Sequence, residues 1–306
     1  MKTFHNVAVC AALMLGLSAT VFADDVKELM KGAEQGNATA QHELGERYAK
    51  GNGVEKDAAE AAKWHRKSAE QGFAKAQHTL GMCYFVGDGV KQDAAEAVKW
   101  FKKAAEQGFA PAQHNLGSCY RSGFGVGKDS AEAIKWYRTS AEKGDAEAQR
   151  SIGEIYYSDD NVKDAAEAVK WFKKAAEQGN AGAQHNLGVC YHDGNGVEKD
   201  IAEAVKLWRM AAEQGNAGAQ CKIGLCYLVG NGMRKDAAEA EQWLLKAGTA
   251  GDANAQYLLG RLFLEQRNDF IGKMLAERWW KKAAEQGHAM AKEEYEKLGF
   301  TVIEKE

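Results

Sequence analysis

Proline is almost missing. The 306 residues contain a single one, Pro111, in the first turn of a helix, where its lost amide is tolerated. No Pro-rich or Ser-rich stretch marks a linker, so residues 24–306 read as one continuous domain behind a short leader. Apolar and polar residues nowhere alternate with the period of two that marks a half-buried strand, which excludes sheet architectures. Positive charge is not in excess either, with 40 Lys plus Arg against 43 Asp plus Glu. Losing Lys2 with the leader would make the balance one unit more negative. Nucleic-acid binding asks for a clearly basic footprint and anionic membranes for basic clusters, so both partners are excluded as expectations. The apolar run from about Val7 to Leu17 falls short of the ~20 residues that span a bilayer.

What the chain has is repetition. A Leu-Gly or Ile-Gly dipeptide places glycine at 45, 81, 117, 153, 188, 224 and 260, in steps of 36 residues with one of 35 between Gly153 and Gly188. A fixed period of 20 to 50 residues is the signature of a solenoid built from one supersecondary unit. Each unit reads as two helices. In the first copy Gln41, Leu44, Gly45 and Tyr48 follow i, i+3, i+4, i+7, the spacing of one buried helical stripe. A Gly-x-Gly turn, such as Gly87 and Gly89, ends this helix A.

Helix B opens on a repeated capping box, Asp57 with Glu60, Asp93 with Glu96, Asp129 with Glu132, Asp164 with Glu167, Asp200 with Glu203 and Asp236 with Glu239. In such a box the aspartate accepts from a first-turn amide and the glutamate reaches back to the aspartate's own amide. The helix then carries an aromatic ladder, Trp64, Trp100, Trp136, Trp171, Trp243 and Trp279, with Trp208 displaced by one behind Leu207. It ends on Ala-Glu-Gln-Gly or a close variant, whose glycine suits a left-handed C-terminal cap.

The pattern LGxxYxxGxGVxxDxxxAxxWxxxAAxxG resembles the Sel1-like repeat, a longer relative of the tetratricopeptide repeat. The resemblance implies an all-α fold: a right-handed α-α superhelix, or solenoid, of about seven 36-residue helix-turn-helix repeats over residues 37–287. Terminal capping helices are expected, a half-repeat at 24–36 and a charged segment at 288–306, because polar caps keep an open array soluble. Three copies depart from the pattern. The fourth replaces the glycine turn with Ser158, Asp159, Asp160 and Asn161, the fifth displaces its tryptophan, and the seventh has Gly272 where the box aspartate should stand.

Residues 1–23 have the form of a secretory signal peptide, with Lys2, a short apolar run and Val21 and Ala23 as small residues at the cleavage site. The mature chain is therefore expected to be periplasmic or secreted. Five cysteines remain after cleavage, four of them (Cys83, Cys119, Cys190 and Cys226) in one helix-A column. Helix packing sets neighbouring units roughly 8–10 Å apart, whereas a disulfide wants Cα atoms within about 7 Å. Free, partly buried thiols are expected. This separates the chain from the cysteine-rich Sel1-like proteins, which pair two cysteines inside each unit.

Chemistry has few places to reside. His42, His78, His114 and His185 form a column that offers one ligand per unit, whereas zinc needs three or four; it reads as a stacked polar ladder, and no metal or other cofactor is expected. Ser140-Ala141-Glu142-Lys143 spells S-x-x-K, of interest because cysteine-rich Sel1-like proteins are associated with weak penicillin binding, but the S-D-N and K-T-G partners of that chemistry are missing. Gly123, Gly125, Gly127 and Lys128 lack the spacing of a phosphate loop. Asn37-Ala38-Thr39 is a formal glycosylation sequon. Adjacent Asp159 and Asp160 read as an altered turn or an acidic spot for a cation.

Positions that vary between copies on one face are the informative ones. On helix A they fall at His42, Glu46 and Ala49, a stripe opposite the buried one, which the resemblance to tetratricopeptide-like arrays places on the concave surface. Its last column contains Phe85, Arg121, Tyr157, His192 and Leu228, and its middle column Met82, Glu154 and Leu225. Large apolar residues with arginine have the composition of binding hot spots. The expectation is a non-enzymatic scaffold, a monomer, binding a protein or peptide through these side chains. A hydrolase acting on β-lactam or cell-wall substrates and an effector acting on a host protein are the alternatives from other classes.

Overall fold

The structure, a computed structural model, describes residues 25–267 and 269–299. The expected leader, and the end of the expected C-terminal cap, lie outside them. The described residues form sixteen helices and no strand. They divide into two compact units, on either side of the boundary between Lys143 and Gly144.

The first unit contains α1 (residues 25–34), α2 (Ala38–Lys50), α3 (Ala58–Glu70), α4 (Ala74–Val86), α5 (Ala94–Glu106), α6 (Ala110–Ser122) and α7 (Ser130–Ala141). The second contains α8 (Ala146–Ser158), α9 (Ala165–Glu177), α10 (Ala181–Asp193), α11 (Ile201–Glu213), α12 (Ala217–Val229), α13 (Ala237–Thr249), α14 (Ala253–Gln266), α15 (Phe270–Glu285) and α16 (Ala289–Lys297). Within each unit successive helices pack on one another, and helices two apart also touch, as α12 and α14 do. The half-repeat α1 takes the place of a preceding helix B: its Ala33 joins Leu44 and Trp64 in one core cluster.

The turn between helices A and B is fixed more tightly than a capping box requires. Each box aspartate caps helix B through its side chain, Asp93 Oδ1 accepting from Glu96 N at 3.0 Å and Asp200 Oδ1 from Glu203 N at 3.0 Å. The aspartate's own amide, however, donates to the carbonyl of the helix-A tyrosine, Asp93 to Tyr84 and Asp200 to Tyr191. The expected return bond from the glutamate is therefore replaced. Glu96 pairs with Lys99 at 2.7 Å and Glu203 with Lys206 at 3.1 Å instead. In the seventh copy the cap has moved, not vanished: Asp269 accepts from Gly272 N at 2.8 Å and α15 begins earlier.

The Leu-Gly glycine explains the second correction. It leaves a space on helix A that is filled by the side chain following the tryptophan ladder. In the first unit these fillers are His65 on Gly45, Phe101 on Gly81 and Tyr137 on Gly117. In the second they are Phe172 on Gly153, Trp208 on Gly188, Leu244 on Gly224 and Trp280 on Gly260. Trp208 is thus no displaced ladder residue. Leu207 holds the ladder position, and Trp208 is the filler of its copy. The ladder tryptophans themselves lie nearer the surface, under lysines one turn on, as with Lys103 over Trp100 at 4.3 Å and Lys174 over Trp171 at 4.3 Å. Trp136 and Trp243 are only half-buried.

A glutamine stitch ties three successive helices together. In the first unit Gln77 Nε2 donates back to Ala69 O of α3 at 3.1 Å, while its Oε1 accepts from Gln107 at the end of α5 at 2.7 Å. In the second, Gln184 does the same with Ala176 at 3.3 Å and Gln214 at 2.8 Å. The third copy breaks the pattern, since Lys143 replaces the second glutamine and donates to Gly108 O at 2.9 Å. Gln113 Oε1 is left buried with no partner among the described residues. Lys143→Gln is expected to raise the urea unfolding free energy by about 0.5–1.5 kcal/mol, the net value of one regained hydrogen bond.

Candidate binding site

In the first unit a hollow of about 480 Å³ opens between α4 and α6. Met82 and Phe85 of α4 and Arg121 of α6 form its wall, and the filler rings Phe101 and Tyr137 form its floor. Three of the eight residues singled out from the sequence therefore converge. Phe124 completes the wall, its ring 4.7 Å from that of Phe85. It occupies the middle of the Gly-x-Gly turn, where the other copies have Asn52, Asp88, Asn195 and Asn231. That exchange of a polar residue for an aromatic was the overlooked sequence signal. The floor is held by polar bonds: Ser118 Oγ and Tyr137 Oη lie 2.8 Å apart, and Asn115 Nδ2 lies 3.0 Å from His78 Nε2. Phe85 remains 38% exposed, a cost in solvated apolar surface that the fold does not require.

The other five are engaged within the second unit. Tyr157 is half-buried with its ring 6.4 Å from Phe172. His192 packs 5.4 Å from Trp208, and its Nε2 lies 3.1 Å from Asn231 Nδ2. Glu154 is held by Arg150 and accepts from Asn186 Nδ2 at 3.2 Å. Leu228 packs against the cluster of Leu244 and Leu259, and Leu225 is half-buried. These five serve packing in part, because helix B supplies a filler side chain on the glycine of the same copy, Phe172, Trp208 or Leu244. At the fourth turn, Asp159 accepts from Asn161 N at 3.0 Å, which makes it a turn residue.

Ser140 is fully buried, and Lys143 already donates to Gly108, so the S-x-x-K tetrad presents no exposed nucleophile. Asn37 of the sequon caps α2, its Oδ1 accepting from Ala40 N at 2.9 Å. All five cysteines of the described residues are free. Burial pushes Cys83, Cys119 and Cys190 up to about 11 and Cys221 to about 12, so they are protonated, unreactive thiols at neutral pH.

The histidine column differs most from expectation in the first copy. His42 is buried, not exposed on the variable stripe, and its Nδ1 lies 3.2 Å from Nδ1 of His65. Burial lowers both imidazoles, His65 to about 4 with further depression from His42. Glu46 and Lys50 are the other charged groups facing His65. An unfolded imidazole titrates near 6.5, so between that value and about 4 the unfolded chain binds the extra proton. Stability is then fully present above pH 6.5 and declines as pH falls towards 4. For chelator-treated protein the urea midpoint at pH 5 is expected to lie below that at pH 7, with His78 and His185, also lowered by burial, acting in the same direction.

Comparison with known proteins places these features. The Sel1 repeat pattern matches at residues 38–73, 74–109, 110–145, 146–180, 181–216, 217–252 and 253–288. Among solved structures, the chain is similar to a protective antigen present in uropathogenic Escherichia coli strains displaying an SLR fold, at 38% identity and a TM-score of 0.77 over 89% of this chain. It spans 59% of that protein's length. A Sel1 repeat protein from Oxalobacter formigenes is also 38% identical, with a TM-score of 0.67 over 76% of this chain and 93% of the other. Yeast Tom70, at 13% identity and a TM-score of 0.53 over 92% of this chain and 59% of its own, shares the fold alone. No curated protein sequence compared with the chain matches it.

Proposed function

The chain belongs to the Sel1 repeat family, and from that premise we propose that it is an exported, non-catalytic scaffold that holds a protein or peptide partner on its helix-A face. The observation that carries this reading is the hollow walled by Met82, Phe85, Arg121 and Phe124. Two aromatic rings over a preformed apolar floor suit a bulky apolar side chain of a partner. A rigid floor limits the entropy lost on binding, and aromatic residues with arginine are the side chains that dominate interface energetics. Export rests on the form of residues 1–23 and is tested by sequencing the N-terminus of the extracytoplasmic protein, which should begin at Asp24.

Binding is tested by capture from an extracytoplasmic extract with the mature chain and with a Phe85→Ala, Phe124→Ala variant. Because Phe85 is part-exposed, Phe85→Ala alone should cost about 1 kcal/mol of stability, the centre of the range for single substitutions. The double variant should fold, by circular dichroism and urea unfolding, and lose the captured partner. Equal capture by both chains would remove the hollow from the account.

A further inference from the structure

The first copy alone places an imidazole where its siblings fill the glycine space with Phe101, Tyr137, Phe172, Trp208, Leu244 or Trp280. His65 is 1% exposed and His42 4%, both neutral in the folded chain at pH 7 because burial disfavours the cation. If the only task were to fill the space on Gly45, phenylalanine would do it without burying polar nitrogen. The pair also leaves a polar atom unanswered. Whichever Nδ1 donates in the His42–His65 contact, His42 Nε2 stays buried with no partner among the described residues. Glu46 stands one turn along α2 from His42, with Oε1 4.0 Å from His65 Nε2. One ligand atom from each of His42, Glu46 and His65 lies within 4.8 Å of the others.

We propose that His42, His65 and Glu46 form a binding site for a divalent metal ion of the zinc class, tying α2 to α3 in the first copy. Two neutral imidazoles and a carboxylate are a recurrent zinc donor set that leaves a fourth position for water or another ligand. Zn–N bonds of about 2.0–2.1 Å at a tetrahedral angle put two ligand nitrogens about 3.3 Å apart. The Nδ1 atoms already stand at 3.2 Å. With both Nδ1 atoms as ligands, Glu46, whose Oε1 stands nearer His65 Nε2 at 4.0 Å, completes the set by rotating to the Nδ1 side, which gives up its pairing with Lys50 at 2.5 Å. That lysine is mostly solvent-exposed, and an exposed pair of this kind contributes little. Glu46 is half-buried, so the site meets solvent on its side. Hard cations such as Ca²⁺ or Mg²⁺ prefer all-oxygen shells and do not suit it.

The test uses the full chain without an affinity tag, stripped with chelator and titrated with Zn²⁺ by calorimetry and with Co²⁺ by visible absorption. The expected result is one equivalent bound, a tetrahedral Co²⁺ spectrum, a higher unfolding temperature with Zn²⁺, and no response to Mg²⁺. His65→Phe restores the ring used in two sibling copies and should fold at least as stably. Its Zn²⁺ affinity should drop by more than about 10–100-fold, a loss seen even for groups that only support a metal ligand. Glu46→Gln should bind more weakly with an unchanged fold. Absence of saturable Zn²⁺ binding to the unsubstituted chain, or binding that His65→Phe leaves unchanged, overturns the proposal.

Discussion

Trp208→Ala is expected to cost about 3–5 kcal/mol of unfolding free energy, the range for truncating a large buried aromatic. The indole is 1% exposed and donates from Nε1 to His185 O at 3.1 Å. A Cβ on Gly188 would come within 2.6 Å of that nitrogen, so the ring occupies the space that glycine leaves and truncation empties it. Trp243, which holds the ladder position one copy later among the half-buried side chains, is expected to lose clearly less on truncation. Urea unfolding of the two variants measures the difference. Equal costs would contradict the assignment of ladder and filler columns.

Gly89→Ala is the second large effect. Its φ of +69° lies in the left-handed region, where an L residue costs roughly 1–2 kcal/mol. A Cβ there would sit 1.9 Å from the carbonyl oxygen of Ala58, the first residue of α3 in the preceding copy. Backbone has to move, and overpacking of this kind adds about 1–3 kcal/mol. The partner glycine of the same turn, Gly87, has φ +82°, but the nearest atom to its Cβ is Gln92 Cβ at 3.3 Å. Gly87→Ala should therefore show the conformational cost with little of the clash. Its smaller loss in thermal and urea unfolding would establish that the second glycine of the turn is a contact between copies, not only a hinge within one.

Much of the fold was legible because it repeats local rules. The period, the helix-A stripe, the aspartate caps and the free buried thiols follow from spacing and chain geometry, and the structure has them where the sequence puts them. The filler column was not legible because its identity changes at every copy, from His65 through Trp208 to Leu244. Only its partner, the glycine, is constant, and a missing Cβ every 36 residues implies something large opposite it. The glutamate half of each capping box failed for a tertiary reason: the tyrosine carbonyl of helix A reaches the aspartate amide first. Asp269 escaped notice because α15 starts three residues before its counterparts.

The candidate site was partly legible. Composition found Met82, Phe85 and Arg121, but Phe124 sits in a turn, outside any helical stripe, and the floor is built from the unrecognised filler rings. Tyr157, His192 and Leu228 share the column of Phe85, yet each meets a neighbour in its own unit. Column membership alone does not separate a binding side chain from a packing one. Convergence on a shared hollow does.

The most direct test of the scaffold reading is photocrosslinking in cells that export the protein, with a benzophenone amino acid at position 85 and, as a control, at position 99 on the exposed face of α5. A discrete adduct with another polypeptide from position 85, and none from position 99, is the predicted result. An adduct from position 99 alone, or none from either position in cells where the protein is present and folded, would contradict binding through this hollow.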